Sequence, residues 1–166
     1  VGGGGGPSGG VGESGAAAAA VEARLLLHEA AQRAREEREC HGLLILAAYY
    51  GDVDLALRQA AETDAGRRPA SEDGGAPPPN APPAWLDVRI ALQFTVANSQ
   101  LRLPAGSKQH LRGFAPVARA APAGRGAPPP PQLWIRYELG GEARTLLLDD
   151  EEEVRIGSPA APRHRR

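Results

Sequence analysis

The side chains that could bind a metal ion are scattered along the chain. The only adjacent pair of soft ligands is Cys40 and His41, and no second pair completes a tetrahedral zinc site. The other histidines stand alone at His28, His110 and His164. We therefore predict an ordinary helix end at Cys40 and His41, and we expect neither a metal nor a cofactor.

Two further patterns resemble reactive sites only in residue type. The acidic run Asp149–Glu153 could attract a cation, but it lacks the spaced ligands and the glycine of a calcium loop. Ser107, His110 and Asp87 could form a hydrolytic triad, although residues at such spacings occur by chance. No nucleophile elbow or phosphate loop is present. We therefore predict no catalytic residues and no enzyme activity, with a small hydrolytic or ligand-binding β-domain as an alternative.

The composition argues against several classes of protein. The formal net charge of -1 lacks the basic excess of a nucleic-acid-binding protein. No run of about 18 apolar residues predicts a membrane-spanning helix. The single cysteine rules out an internal disulfide. Because the chain contains no methionine, we expect it to be a fragment, or the C-terminal part, of a longer protein.

The distribution of glycine, proline and apolar residues predicts a small α+β domain that is mainly β. We expect an antiparallel β-sheet or sandwich preceded by one long N-terminal helix, with disordered loops rich in proline and glycine. In chain order the predicted parts are a flexible linker (1–15), a helix (16–41), a β-rich domain (42–157) with disordered insertions at about 67–83 and 118–131, and a tail (158–166).

The most regular pattern is the alternation of apolar and more polar residues from Leu86 to Val96. It predicts a strand whose even-numbered side chains face the core. A turn at 98–100 and a short strand at Leu101–Leu103, ended by Pro104, should follow.

The other helices and strands are predicted from shorter stretches of sequence. Gly42 is placed to end the helix, and Leu43–Tyr50 has the length and the β-formers of a buried strand, although a helix is an alternative. One or two helical turns are expected at Asp54–Ala61, and another at Ala105–Leu111. Leu133–Asp149 predicts a hairpin that turns at Gly140 and Gly141, with Leu133 opposite Leu148 and Tyr137 opposite Arg144. A last short strand is expected at Val154–Ile156.

Polar residues in the connection after Leu103 are not required by any strand pattern. Because binding residues concentrate in loops held by a rigid scaffold, we predict an interaction surface there, together with the charged end of the helix at 32–39. A structural turn beside a free helix end is the alternative. The candidate surface residues are Ser107, Lys108, His110, Arg112, Gly113 and Phe114.

Three segments together resemble one known family. They are GLLILAAYYG (42–51), LDVRIALQFTVANSQLRLPAGSKQHLRGF (86–114) and LWIRYELGGEARTLLLDDEEEVRIGSP (133–159). In this order they resemble the C-terminal domain of the mitochondrial DnaJ-like protein of subfamily C, member eleven. The matching residues are Gly42, Leu43, Tyr50, Gly51, Asp87, Val88, Leu92, Gln93, Val96, Ser99, Leu101, Leu103, Ser107, Lys108, Leu111, Gly113, Phe114, Tyr137, Gly141 and Ile156. The chain departs from the family at Ala115-Pro116 and at Gly157.

The resemblance implies a non-catalytic interaction or scaffolding domain of a mitochondrial co-chaperone linked to cristae and membrane organisation. It implies a membrane-associated mitochondrial location, and as partners the proteins of the mitochondrial membrane-organising machinery, with peripheral membrane contact and no nucleic acid. Contact with Hsp70 would need an upstream J domain, whose His-Pro-Asp tripeptide does not occur in this chain. A client-holding co-chaperone domain is the alternative function.

Overall fold

The computed structural model describes residues 13–64, 82–119 and 128–157. Three α-helices and six strands in antiparallel sheets lie within these ranges, so the predicted α+β class is confirmed. The elements are α1 (Glu13–Glu39), β1 (Leu43–Gly51), α2 (Val53–Asp64), β2 (Trp85–Asp87), α3 (Arg89–Thr95), β3 (Leu101–Leu103), β4 (Gln132–Leu139), β5 (Glu142–Asp149) and β6 (Val154–Ile156). A single 3₁₀ turn, Lys108–His110, lies between β3 and β4.

The strands form two antiparallel sheets. The larger sheet has the order β2-β1-β4-β5, and the smaller one pairs β3 with β6. The β4–β5 hairpin has the predicted register, with Leu133 opposite Leu148 and Tyr137 opposite Arg144. The hairpin prediction is therefore confirmed. The register could be predicted because a shift of one residue would exchange the buried and exposed faces.

The core lies on one face of the larger sheet. Alternate residues of β1 and β4 point into it, and the segment around α3 and the smaller sheet cover it. Its buried side chains are Leu43, Ile45, Ala48, Tyr50, Val88, Leu92, Val96, Leu101, Leu103, Leu133, Ile135, Val154 and Ile156. This arrangement places the sheet in one layer and α3 with the β3–β6 ladder in the other.

The strand predicted over Leu86–Val96 is wrong. Only β2 is extended there, and the next residues form α3. Val88, Leu92 and Val96 are buried, whereas Ile90 is 37% exposed. Buried positions four residues apart lie on one face of a helix. In an alternating pattern every second residue is apolar, so every fourth residue is apolar as well. The alternation was therefore compatible with both structures, and packing selected the helix.

Helix α3 takes the place of a strand beside β1. Strand β2 pairs only with the last three residues of β1, Tyr49–Gly51. Further along that edge, the side-chain amide of Gln93 accepts a hydrogen bond from the Ile45 N–H at 2.8 Å and donates to the Leu43 carbonyl at 3.5 Å. The Gln93 side chain thus pairs the backbone of β1 as a neighbouring strand would.

The long N-terminal helix is confirmed as α1. It ends beside Gly42, whose N–H donates to the Glu37 carbonyl at 2.7 Å. The residue with positive φ at this end is His41, at 54°. Gly42 is needed for a different reason: a Cβ atom at this position would collide with the Glu37 carboxylate.

The predicted linker, tail and insertions lie mostly outside the described residues. Where their edges are described, they are hydrogen-bonded to the domain. The Ala118 N–H donates to the Pro83 carbonyl at 2.8 Å, and the Asp150 N–H donates to the Pro131 carbonyl at 2.9 Å. The Arg119 side chain also donates to the carbonyls of two prolines, at 2.8 and 3.3 Å.

The helical assignment of α3 predicts unequal effects for two apolar truncations. We expect Leu92→Ala to lower the free energy of unfolding by about 2–5 kcal/mol, because it leaves a cavity in the core. Ile90→Ala should cost clearly less, because that side chain is partly exposed. Urea unfolding measures both values. Equal losses would favour the alternating strand instead.

The pairing of β1 by the Gln93 side chain predicts a large effect on stability when an apolar side chain replaces it. Gln93→Leu removes the acceptor of the Ile45 N–H, and an unsatisfied buried amide costs about 1–3 kcal/mol. Gln32→Leu is the control, because Gln32 is exposed and bonds only to Glu36 on the same helix. A loss of stability no larger than that of the control would contradict the pairing role of Gln93.

Candidate interaction surface

The predicted interaction segment Ser107–Phe114 is held to the domain by Lys108, which is fully buried. The Lys108 ammonium group donates to the carbonyl oxygens of Gly106 at 3.4 Å, of Glu152 at 2.7 Å, and of Asp150. The prediction that Lys108 belongs to an accessible surface is therefore wrong. A lysine can be buried where carbonyl oxygens replace the water around its ammonium group.

Asp150 connects Lys108 to Tyr50. One of its carboxylate oxygens accepts hydrogen bonds from the backbone N–H of Lys108 at 2.8 Å and from the Tyr50 hydroxyl at 2.9 Å. Burial, with a further contribution from Asp150, raises the pKa of Tyr50 to about 12, and burial lowers the pKa of Lys108. These three side chains form a buried polar cluster, which we call the Lys108 anchor.

Gly113 and Phe114 also fix the segment from within. The Phe114 ring packs edge to face on Tyr50, with ring centroids 5.2 Å apart. Gly113 has φ of 83°, and a Cβ atom there would lie 2.5 Å from the Cβ atom of Ala91. Both residues therefore serve to position the segment.

Ser107, His110 and Arg112 are the members of the predicted set whose side chains are exposed. Arg112 extends over the ring of Phe94, 5.0 Å from its centroid, and forms a 3.2 Å ion pair with Glu22 of α1. The structure therefore joins one end of the segment to the long helix.

A second arginine meets the same aromatic ring. The Arg33 guanidinium lies 4.9 Å from the centroid of Phe94 and donates to the Val96 carbonyl at 2.9 Å. Arg33 belongs to the charged part of α1 that was predicted to join the surface. We call the group formed by Glu22, Arg33, Phe94 and Arg112 the Phe94 surface.

A polar groove adjoins the Phe94 surface through Arg33. It has a volume of about 500 Å³ and lies between α1 and the turn after α3. Its lining residues are Glu29, Gln32, Arg33, Glu36, Glu37, Val96, Ala97 and Asn98. The charged end of α1 thus contributes to a concave polar surface.

Glu37 is the buried member of that charged end. Its carboxylate accepts the Leu43 N–H at 3.0 Å, the Ser99 N–H at 3.0 Å and the Ser99 hydroxyl at 2.5 Å. Glu37 therefore serves the fold. Its position could have been inferred from the helical period, because Ala30, Ala34 and Glu37 share the face of α1 that carries the buried Ala30.

The other candidates for chemistry make local contacts. The Cys40 thiol donates to the Glu37 carbonyl at 3.4 Å, and Asp87 accepts the Arg89 N–H at 2.9 Å. Tyr49 stacks on Trp134 and meets the edge of Trp85, on the sheet face opposite the core.

Within 13–64, 82–119 and 128–157, no three or more His, Cys, Asp or Glu side chains are grouped as metal ligands. No helix in these ranges is long and apolar enough to cross a membrane.

These features define a class of small α+β domain in which two helices close the edge of an antiparallel sheet. The chain belongs to the family described as DnaJ-like protein C11, C-terminal, whose model matches residues 13–157. That range contains every helix and strand described above, and it confirms the resemblance found in the sequence. Comparisons with curated proteins and with solved structures found no match.

The Lys108 anchor predicts a pH-dependent stability at high pH. The pKa of Tyr50 rises from 10.0 to about 12 in the fold, so the neutral hydroxyl stabilises the native state fully below pH 10. This contribution is lost as the pH rises from 10 to about 12. We expect Tyr50→Phe to be less stable by about 0.5–1.5 kcal/mol at pH 8, because one hydrogen bond is lost.

Urea unfolding across this pH range measures the difference between the two proteins. The difference should shrink above pH 10, since Lys108 titrates in both and only the wild type has the Tyr50 hydroxyl. Parallel pH profiles for the two proteins would contradict the role assigned to Tyr50.

Proposed function

We propose that this domain is a non-catalytic interaction and scaffolding domain of a mitochondrial DnaJ-like co-chaperone, linked to cristae and membrane organisation. The family match supports the relation to DnaJ-like proteins. The observation that carries the interaction role is the Phe94 surface, where two arginines from separate segments meet over one aromatic ring.

The Phe94 surface is suited to binding because it is already ordered. Arg33 is fixed by its bond to the Val96 carbonyl, and Arg112 follows a segment fixed by the Lys108 anchor. Ordering rotamer-rich side chains beforehand reduces the entropy lost on association. Arginine and aromatic residues are also the types that contribute most to binding energy at interfaces.

The charges favour an acidic partner surface. Arg112 pairs with Glu22 in an exposed contact, and exposed ion pairs contribute only about 0–1 kcal/mol. A partner carboxylate could therefore replace Glu22 at little cost. We place such partners among the proteins of the mitochondrial membrane-organising machinery, with peripheral membrane contact and no nucleic acid. Contact with Hsp70 would require a J domain, and the His-Pro-Asp tripeptide of such a domain does not occur in this sequence.

The buried titratable groups support a non-catalytic role. Tyr50, Lys108 and Asp150 hydrogen-bond to one another and to backbone groups, so the shifted pKa values of Tyr50 and Lys108 follow from the fold itself. Structural clusters of this kind shift pKa values without any catalytic role.

Partner capture tests the role of the Phe94 surface. The complete 166-residue chain is immobilised and exposed to a detergent extract of mitochondria. We expect it to retain membrane-organising proteins, and we expect Arg112→Glu to weaken this capture about tenfold, since a charge reversal opposes an acidic partner. Quantitative mass spectrometry measures the retained proteins.

Arg155→Glu is the matched control. Like Arg112, Arg155 is exposed and forms one ion pair, here with Glu153 at 2.7 Å. This variant should capture partners as the wild type does. Unchanged capture by the Arg112→Glu variant, with an unchanged circular dichroism spectrum, would remove the Phe94 surface from consideration.

The second candidate function is client holding. The exposed apolar side chains Leu27, Leu46 and Ile90 favour it, because they lie together in one groove. Binding of chemically denatured proteins without selectivity, and without dependence on Arg112, would support this function over scaffolding.

A further inference from the structure

An apolar groove lies on the side of α1 opposite the Phe94 surface. It has a volume of about 210 Å³ and is bounded by α1, β1 and α3. Leu27, Leu46 and Ile90 line it and are 53%, 38% and 37% exposed. At 100° per residue, Leu27 and Ala34 lie far around the helix from Glu22 and Arg33. The two surfaces of α1 are therefore separate.

Local backbone structure keeps the groove open. The register between β1 and β4 shifts between Ile45 and Ala47, so Leu46 is the extra residue of a bulge. Between Leu27 and Arg38, the residues of α1 that line the groove are the alanines at positions 30, 31 and 34. No long side chain of that stretch fills the space between the helix and the bulge.

The charged residues that line the groove are both positive. Of the described residues that line it, only Arg38 and Arg89 are charged. Neither forms an ion pair with any carboxylate in the described part of the chain. Two cations beside exposed apolar side chains are complementary to an acidic and apolar ligand.

We propose that this groove binds a peptide segment of a partner protein that presents one or two large apolar side chains beside carboxylates. The size agrees, because a cavity of about 150 Å³ holds benzene, so this groove has room for one aromatic or two branched side chains. The apolar side chains would contact Leu46 and Ile90, and the carboxylates would pair with Arg38 and Arg89.

Two other occupants fit less well. In a symmetric dimer of this chain through the groove, Arg38 and Arg89 would meet the same cations of the second copy, and like charges repel. A bilayer surface is flat, whereas these apolar side chains line a concave space between two helices and a strand. A peptide satisfies both the shape and the charge.

Selection from a phage-displayed library of random 12-residue peptides tests the proposal with the complete chain. We expect the selected peptides to combine large apolar residues with aspartate or glutamate. Arg38→Glu with Arg89→Glu should weaken their binding by about tenfold or more and should shift a new selection towards lysine and arginine. Fluorescence anisotropy of a labelled selected peptide measures the affinity, which should also fall with added salt.

The control is Arg35→Glu with Arg102→Glu, which makes the same change of charge at exposed positions outside the groove. It should bind the peptide as the wild type does. If the double charge reversal fails to fold, Arg38→Gln with Arg89→Gln replaces it and should still weaken binding. Because neither pair includes Arg112, this test and the capture test of the Phe94 surface can fail independently.

Three results would overturn the proposal. The first is a selection that gives no peptides combining acidic and large apolar residues. Equal binding of a selected peptide to the Arg38 and Arg89 variant and to the Arg35 and Arg102 control would count as the same result. The second is binding to vesicles of anionic phospholipid, without peptide binding, that is lost with Arg38 and Arg89. The third is concentration-dependent dimerisation of the wild type, measured by sedimentation, that is lost with the Ile90→Asp variant.

Discussion

The fold depends on how the open edge of β1 is satisfied. The N–H groups of Leu43 and Ile45 donate to the side chains of Glu37 and Gln93, at 3.0 and 2.8 Å. An unsatisfied buried amide costs about 1–3 kcal/mol, so each of these bonds is a strong constraint on the position of its helix. Glu37 also binds both groups of Ser99 and thereby fixes the turn after α3. The positions of α1 and α3 relative to the sheet follow from these bonds.

The Lys108 anchor plays the equivalent role at the other end of the sheet. Its hydrogen bonds join the segment after β3 to the turn before β6 and to the Tyr50 hydroxyl on β1. Many residues that carry the family resemblance belong to these two polar clusters or pack against them, among them Gly42, Gln93, Ser99 and Phe114. The matching residues therefore reflect how the domain is held together, and the exposed Arg112 and Arg38 are not among them.

Because α1 is fixed along one side only, it presents two different surfaces. One side carries Arg33 in the Phe94 surface, and the other carries the short alanines of the apolar groove. Both surfaces include arginines, so both favour acidic partners. A domain built in this way could hold two partner segments on opposite sides of one helix.

The sequence by itself determined the elements whose patterns have one structural solution. The β4–β5 register follows from a two-glycine turn between alternating strands, and the long α1 and the short β6 were also identified correctly. Only the tertiary structure decided between strand and helix for Arg89–Thr95, because its apolar spacing fits both and the edge of β1 required the Gln93 amide. The burial of Lys108 was likewise decided in three dimensions, since its carbonyl partners include Glu152, 44 residues away. Polar groups become buried where distant segments supply their hydrogen bonds, and a local pattern of residues does not contain those partners.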